Sequence, residues 1–326
     1  MNAVFALSRI KRAVTHRLNP RTAWRCALLR QRKSVLYTGI AAVRGRAARY
    51  ASLEHFQHDI PAVLPGKHSD YLVAQEFLDD AFVADPRPKV FFSRESMAHH
   101  DDRTRDYLKR DELARCILSF GEEDSDRRMF YVALPGNKRR AIRNLHRVLN
   151  NRRPGLCCMV NRYKENDRMP LLQERIRFAR AMGIDIDIYG RALPGEENGW
   201  LHYPNYCGPS ANKLKTLAGY TFNLCFENCD EDGYITEKII HALIAGCIPL
   251  YWGGGRFLSQ TIPSSCFINC KDLDPAALCQ RIRTMPQEEI LCYRQAGLDF
   301  IASPQADRFT WNHWAKLVTQ RLLEST

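Results

Sequence analysis

Short apolar runs alternate with amphipathic helical patterns over the second half of the chain, and this alternation constrains the fold most. Apolar runs of strand length occupy residues 156–160, 184–188, 222–226, 248–252 and 266–269. Helical patterns separate or follow them over residues 167–182, 236–245 and 274–302. Strands that alternate with helices predict parallel sheets with helices on both faces. No apolar stretch approaches the roughly 18 residues that a bilayer span needs, so a multi-pass membrane protein is not expected.

The first half carries the same pattern less regularly. Residues 90–92 and 116–120 are predicted strands, and a basic stretch over 136–154 ends at Pro154, where we place a domain boundary. The sequence thus predicts an α/β protein with two Rossmann-like domains. The predicted divisions are a basic arm at 1–54, a first Rossmann-like domain at 55–153, a second at 154–305 and a C-terminal helix at 306–326.

The positive charge of the chain is concentrated near its N-terminus. The 326 residues include 48 Lys and Arg against 36 Asp and Glu, a formal net charge of +12. Residues 1–50 hold twelve of the basic residues and no acidic one, so residues 51–326 balance at 36 of each sign. We therefore predict a basic helical arm on a neutral body, rather than a uniformly basic nucleic-acid-binding protein.

Apolar residues of this arm recur every three or four positions from Val4 to Leu18, which predicts an amphipathic helix. Such a helix, with basic residues on its polar face, is suited to lie on an anionic lipid surface. The alternatives are a solvated extension, a transit peptide or a nucleic-acid-binding arm. A secretory signal is not expected, because Lys and Arg interrupt every apolar run.

Twelve cysteines are scattered along the chain, several of them within apolar runs. This placement predicts buried free thiols in a reducing compartment, not a disulfide framework. The pairs Cys225/Cys229 and Cys266/Cys270 have no His at ligand spacing, so a zinc site is not expected. Together with the basic arm, this composition predicts a cytoplasmic protein that is peripheral on the cytoplasmic face of a membrane.

The segment 222–238 is the first candidate site. An apolar run ends in Glu227-Asn228, and a helix is predicted to begin at Thr236 with Lys238 in its first turn. A helix N-terminus and a nearby cation together favour a phosphate. Glu237 would then need a separate role, such as binding sugar hydroxyls or stabilising a positively charged transition state. An ordinary surface helix start fits the same pattern equally well.

Two further groups of acidic residues are candidates. Glu95 follows the predicted strand 90–92 directly, and it could act as a general base or form a surface ion pair with Arg94 or Arg103. The triplet Asp230-Glu231-Asp232 has the D-x-D form that holds a divalent metal in GT-A transferases.

The run from Tyr220 to Gly253 resembles the donor-binding signature of the α-1,3/4-fucosyltransferases of glycosyltransferase family 10, bacterial members especially. The matching residues are Tyr-Thr-Phe-Asn-Leu-Cys-Phe-Glu-Asn, Gly-Tyr-Ile-Thr-Glu-Lys-Ile-Ile, Ala-Gly and Ile-Pro-Leu-Tyr-Trp-Gly. The resemblance spans roughly residues 88–305 and says nothing about the arm. It implies a GT-B architecture of two facing Rossmann-like domains, a GDP-fucose donor and an inverting reaction.

The resemblance also implies roles for individual residues. Lys238 and Arg175, with Arg177 as an alternative in register, would neutralise the diphosphate as it leaves. Glu237 would stabilise the oxocarbenium-like charge on fucose.

Three more residues, Glu227, Asn228 and Tyr234, would form the donor pocket. Glu95 would take the proton of the acceptor hydroxyl, although the segment Glu95–His99 has Met97 where the family has proline. Thr221 replaces a common Lys of the family.

The predicted function is transfer of fucose from GDP-fucose to a hydroxyl of a GlcNAc-type or related glycan acceptor, with an α-1,3/4 linkage, on a lipid-linked or surface glycan. No cofactor and no essential metal are expected. The alternatives are the same fold with another GDP-deoxysugar, and nucleic-acid binding through the arm.

Overall fold

The computed structural model describes residues 89–321, except 101, 111–116, 126–127, 135–137, 164–168, 193–198, 311–312, 315–316 and 318–319. It also describes residues 83, 84 and 86 and the backbone of 35–38 and 71–75. The chain divides into two units. Unit 1 comprises residues up to 137 together with 307–326, and unit 2 comprises residues 138–306.

Within its described residues, unit 1 contains a parallel sheet in the order β1-β2-β3-β4. Its strands are β1 (Val35–Thr38), β2 (Tyr71–Gln75), β3 (Lys89–Phe92) and β4 (Ile117–Leu118). A 3₁₀ turn over Met97–His99 and helix α1 (Asp102–Leu108) follow β3. Strand β1 lies inside the predicted helical arm, which corrects that prediction at these four residues. Val35, Leu36, Tyr37 and Thr38 are β-branched, apolar or aromatic, so they suit a strand.

The C-terminal segment is part of unit 1 because its aromatic side chains pack there. The ring of Trp314 lies 5.1 Å from that of Phe92, and Phe309 lies 5.6 Å from Phe130. The backbone of Leu134 also pairs with that of Thr310. Residues 307–326 therefore belong to unit 1, and the described residues 313, 314, 317, 320 and 321 lie in the C-terminal helix that we predicted within 306–326.

Unit 2 contains, among its described residues, a parallel sheet in the order β10-β9-β8-β5-β6-β7. Its strands are β5 (Gly155–Val160), β6 (Ile186–Tyr189), β7 (Tyr206–Gly208), β8 (Tyr220–Leu224), β9 (Ile248–Tyr251) and β10 (Ile268–Asn269). Its helices are α2 (Arg139–Val148), α3 (Leu171–Met182), α4 (Lys213–Leu217), α5 (Glu237–Ala245), α6 (Leu258–Thr261), α7 (Pro275–Thr284) and α8 (Gln287–Ala302). The central strands are buried apolar runs, as expected for a parallel sheet covered on both faces.

Helix α2 joins unit 2, so the boundary lies at 137/138 and not at the predicted 153/154. The side chain of Leu145 is buried, and two arginines tie the end of this segment to the unit. Arg153 donates to the carbonyl oxygens of Ala218 and Ala245, and Arg294 donates to those of Leu149 and Asn151. The many basic residues at 136–154 are the reason why the burial of Leu145 was not predicted and the boundary was placed after this segment.

The strand order places a topological switch between β5 and β8. The chain runs outward from β5 through β6 to β7, returns to β8 beside β5, and then runs outward through β9 to β10. The loops that leave β5 and β8 therefore diverge and open a crevice at the carboxyl ends of these strands. Ligands of open α/β sheets bind in such crevices.

Helix α5 begins and ends as its sequence predicts. Thr236 is its N-cap, and its side chain accepts from the backbone N–H of Lys238 at 3.5 Å. Gly246 terminates the helix in the left-handed conformation, with φ of 72°. The buried face of the helix carries Ile239, Ile240, Ala242, Leu243 and Ala245.

Eight of the ten cysteines in the described residues are buried, and all ten are free thiols, as predicted. Cys207 and Cys292 are exposed. Burial raises the pKa of the Cys247 thiol to about 12, so it stays protonated. In the part of the chain that the structure describes, no helix is long and apolar enough to cross a membrane.

Candidate functional site

A buried carboxylate organises the loop at the end of β8. Glu227 is fully buried, and its Oε1 accepts from the backbone N–H of Thr236 at 2.7 Å and from the hydroxyl of Tyr251 at 3.0 Å. Its Oε2 accepts from the Lys238 ammonium at 2.7 Å and from the Thr236 hydroxyl at 2.8 Å. The negative charge that the N-terminus of α5 favours is therefore supplied by the carboxylate of Glu227. Glu227 was predicted to contact the donor, but the structure places it beneath the site.

A glycine provides the space that Glu227 occupies. Gly253 follows β9 with φ of 153°, and a Cβ there would lie 2.5 Å from Cγ of Glu227. The backbone N–H of Glu227 also donates to the carbonyl of Trp252 at 2.9 Å. The end of β9 and the end of β8 are thus held together by backbone contact and by Tyr251. The glycine run 253–255 in the sequence was the available signal for this close approach.

Lys238 lies at the surface of this network. Its side chain is 14% exposed, and its ammonium donates to Glu227 and, at 3.0 Å, to the hydroxyl of Thr236. An ammonium has three donors. The third has no acceptor among the described residues, so Lys238 is oriented by Glu227 and keeps one proton for a ligand.

Arg175, predicted to bind phosphate, is fully buried at the switch crevice. Its NH2 group donates to the carbonyl oxygens of Phe226 at 2.7 Å and Glu227 at 2.5 Å, and to Oδ1 of Asn228 at 3.0 Å. With the amide of Asn161 turned to present its oxygen, Nε and NH1 donate to it at 3.2 Å. Burial lowers the pKa of Arg175 to about 10, against the opposing effect of Glu227, so the guanidinium stays charged.

Arg175 therefore joins the loop after β5 to the loop after β8. This fixes the side chain of Asn228, and the backbone carbonyl of Asn228 accepts from the backbone N–H of Leu171 at 3.2 Å. Arg177, the alternative in register, lies on the outer face of α3, where it pairs with Glu174 at 2.7 Å. Tyr234 is buried.

Glu237 is the carboxylate that faces outward at the start of α5. Its side chain is 28% exposed, and Oε1 lies 3.3 Å from the ammonium of Lys213, at the start of α4. Burial would raise the pKa of Glu237, but the charges of Lys238, Lys213 and His241 lower it to about 2. Glu237 is therefore ionised near neutral pH, which suits electrostatic stabilisation of a positive charge.

The aspartates of the D-x-D triplet are held by groups of the protein. Asp230 accepts from the backbone N–H of Gly255 at 2.9 Å and from the Lys271 ammonium at 2.9 Å. Asp232 accepts from the backbone and the side chain of Arg256 at 2.9 and 2.6 Å. Across the described ranges, no group of three His, Cys, Asp or Glu residues is placed to hold a metal ion. The triplet anchors the glycine turn after β9.

Glu95 lies in unit 1, immediately after β3, and is exposed. The hydroxyl of Ser93 donates to the carbonyl of Glu95 at 3.0 Å and accepts from its N–H at 2.9 Å. At the next residue, the hydroxyl of Ser96 lies 2.9 Å from Nδ1 of His99. The carboxylate thus stands on a defined turn at the carboxyl end of the unit 1 sheet, the edge where α/β sheets place reactive groups.

Hydrogen bonds join four of the predicted site residues. Arg175, Glu227, Asn228 and Lys238 form one connected cluster, and Tyr234 is buried in the loop between Asn228 and α5. Glu237 lies beside this cluster on α5, and Glu95 belongs to the other unit. Sequence reasoning missed Thr236 as a partner of Glu227, and it missed Tyr251, Asn161 and Lys213 altogether.

Comparisons with known proteins show which family this part of the chain is similar to. Residues 149–295 match the family model described as Glycosyltransferase family 10 (fucosyltransferase) C-term. The chain is 48% identical over 61 residues to the alpha-(1,3)-fucosyltransferase FucT of Helicobacter pylori, covering 19% of this chain and 13% of that protein. It is 32% identical over 109 residues to alpha-(1,3)-fucosyltransferase 4 of Bos taurus, covering 32% of this chain and 25% of that protein. The matches thus span only 13% and 25% of the length of these relatives.

Among solved structures, the chain is similar to a crystal structure of an alpha1,3-fucosyltransferase with GDP. The TM-score is 0.56 at 17% identity, over 95% of this chain and 98% of the other. This likeness confirms the predicted α/β fold class of GT-B type. Residues 149–295, the region that carries the cluster, match the model of glycosyltransferase family 10, the family that the Tyr220–Gly253 signature resembles.

Proposed function

We propose that this protein is an inverting fucosyltransferase that uses GDP-fucose as its donor. The observation that carries the proposal is the arrangement at the end of β8, within a family 10 domain. Lys238, whose third ammonium donor has no acceptor among the described residues, is adjacent in sequence to Glu237, a carboxylate that neighbouring cations keep ionised near neutral pH. Sugar transfer needs charges of both signs, because the leaving diphosphate gains negative charge while the anomeric carbon gains positive charge.

The residues divide this work as follows. The acceptor oxygen attacks the anomeric carbon of fucose, and the bond from that carbon to the diphosphate oxygen breaks with its electron pair. Lys238 donates a hydrogen bond to the leaving diphosphate, and Glu237 stabilises the positive charge on the sugar. Glu95 takes the proton of the acceptor hydroxyl. Charges that are fixed before the reaction lower the barrier more than charges that must reorganise.

Arg175 and Glu227 serve the same reaction from beneath the site. Arg175 holds Asn228 and the loop after β8, and Glu227 orients Lys238. This assignment differs from direct neutralisation of the diphosphate by Arg175. Buried and already hydrogen-bonded, its guanidinium acts by raising the positive potential of the crevice.

The acceptor that we propose is a hydroxyl of a GlcNAc-type or related glycan, joined in an α-1,3/4 linkage. The relatives named alpha-(1,3)-fucosyltransferase support this choice. The test is incubation with GDP-fucose and an array of glycan acceptors, with linkage analysis of each product. A panel with GDP linked to other 6-deoxysugars tests the donor. Faster transfer from one of these than from GDP-fucose would replace fucose in the proposal.

Two variants test the site itself. Lys238→Ala and Glu95→Gln should each lower kcat by roughly 10²–10³-fold, the usual loss for a preorganised electrostatic group or a general base. Glu288→Gln, an exposed carboxylate on α8, is the matched control and should keep full activity. Full transfer by both site variants would show that the assignment is wrong.

Activity should also survive EDTA, since Asp230 and Asp232 already accept hydrogen bonds from donors of the protein.

We also propose that the basic residues near the N-terminus hold the enzyme on the cytoplasmic face of a membrane, near lipid-linked acceptors. Deleting residues 1–33 tests this and spares strand β1, which a longer deletion would remove. The shortened protein should lose its binding to anionic liposomes and keep its activity on soluble acceptors. Liposome binding that survives the deletion would refute the anchor.

A further inference from the structure

Helices α4 and α5 both begin beside the proposed donor site, and an ion pair joins their first residues. Nζ of Lys213 lies 3.3 Å from Oε1 of Glu237, and the two side chains are 27% and 28% exposed. The pair is therefore shielded enough to be stronger than an exposed ion pair. Lys213 lies seven residues before Tyr220, where the signature begins, and no role has been given to it above.

The surroundings of Lys213 fix its position. Asn212 caps α4, and its Oδ1 accepts from the backbone N–H of Lys215 at 3.0 Å. At the other end of the helix, Leu217 is fully buried. The lysine thus projects from a short helix that is anchored at both ends, and this reduces the conformational entropy lost when it pairs with Glu237.

A third group completes this cluster. His241 stands one turn after Glu237 on α5, and its Nδ1 is buried with no hydrogen-bond partner among the described residues. Burial and then the positive charge of Lys213 lower the pKa of His241 from 6.5 to about 4, against the opposing effect of Glu237. The imidazole is therefore neutral near pH 7 and does not compete with Lys213 for the carboxylate.

We propose that Lys213 is a positioning residue for fucosyl transfer, which holds the carboxylate of Glu237 in the orientation that stabilises the sugar cation. The proposal rests on the proposed function for its consequence in catalysis. A Glu side chain has three rotatable bonds, and Lys238, adjacent to Glu237 in the sequence, is already committed to Glu227 and Thr236. In the described part of the site, Lys213 is the cation that contacts the Glu237 carboxylate directly.

Kinetics of four variants test this role. Lys213→Met should lower kcat about tenfold and change the KM for GDP-fucose less than threefold, because it loosens Glu237 without removing a donor contact. Lys213→Arg should restore most of kcat. Lys215→Met, on the same helix and exposed, should match the wild type. In a Glu237→Gln background, Lys213→Met should cost nothing further, since the two residues act as a unit. Additive losses, or a loss confined to KM, would instead mean that Lys213 contacts the diphosphate and would overturn the proposal.

A second readout does not depend on the reaction. NMR titration of the His241 imidazole should show a higher pKa in Lys213→Met than in the wild type, because a nearby positive charge is removed. Lys215→Met should leave that pKa unchanged. An unchanged pKa in Lys213→Met would show that the ammonium does not lie at this cluster, and the proposal would fail. The wild type could fail to transfer fucose while the pKa of His241 still shifts as expected. That result would overturn the proposed function and the catalytic role of Lys213, and it would confirm the ion pair between Lys213 and Glu237.

Discussion

Replacing Glu227 with Gln should destabilise unit 2 strongly, although the side chains have nearly the same shape. The amide has no charge, and its NH₂ group must face one of the donors that now point at the carboxylate. The Lys238 ammonium, only 14% exposed, also loses its counter-ion. Removing one partner of a buried ion pair costs about 3–5 kcal/mol, and we expect about 3 kcal/mol because Lys238 reaches the surface.

A unit of this size shifts its Tm by about 2–4 °C for each kcal/mol. Calorimetry should therefore show the unit 2 transition of Glu227→Gln about 6–12 °C below that of the wild type. Glu288→Gln should fall within about 0.5 kcal/mol of the wild type, as exposed substitutions usually do. The double variant Glu227→Gln/Lys238→Met should be less destabilised than the sum of its single variants. A loss below about 1 kcal/mol in Glu227→Gln would refute the view that this carboxylate is the centre of the network.

Three further predictions concern the same network. Tyr251→Phe removes one donor to Glu227 and should cost about 1.5–3 kcal/mol in urea unfolding; no loss would mean that the hydroxyl bond is unimportant. Gly253→Ala places a methyl group 2.5 Å from Cγ of a fixed side chain and should lower stability by at least about 1–3 kcal/mol, measured in the same way; wild-type stability would show that Glu227 can move. Glu237 has its pKa lowered from 4.5 to about 2, so its stabilisation is complete above about pH 4.5 and is lost as the pH falls through about 2. The stability difference between wild type and Glu237→Gln should therefore be constant from pH 5 to 7 and shrink towards pH 2; a difference that grows on acidification would refute the sign.

The parts of the fold that depend on local sequence were predictable. Thr236 and Gly246 bound α5 as their side-chain chemistry requires, one as a hydroxyl cap and the other as a residue that tolerates positive φ. The apolar runs of β5, β8 and β9 marked buried strands correctly to within two residues. The predicted strand 184–188 corresponds to β6, again to within two residues, and residues 183–185 form a 3₁₀ turn in which Ile184 is 78% exposed. Isoleucine and aspartate alternate over all of 184–188, so the sequence pattern does not show where within this run the strand begins.

The contacts that build the site were not predictable, because they join distant residues. Glu227 meets Lys238 eleven residues on and Tyr251 twenty-four residues on, after the chain has left and rejoined the sheet. Nothing local distinguishes Arg175, which points into the crevice, from Arg177, which points out of α3, until the face of the helix is known. The sequence pattern therefore predicted which residue types the site contains. Which of these residues are exposed depends on the strand order and on the helix faces, which the pattern does not show.

The strand order of unit 2 has a consequence for how the chain is made. The central strands β5 and β8 pair residues such as Cys157 and Phe222, and the hydrogen bond from Asn223 to Cys158 spans 65 residues. At a synthesis rate of about 5–20 residues per second, β5 leaves the ribosome roughly 3–13 s before its partner exists. During that interval the run Leu-Cys-Cys-Met-Val is an unpaired apolar edge. The nascent protein should therefore depend on chaperone protection most while residues 160–224 are being synthesised.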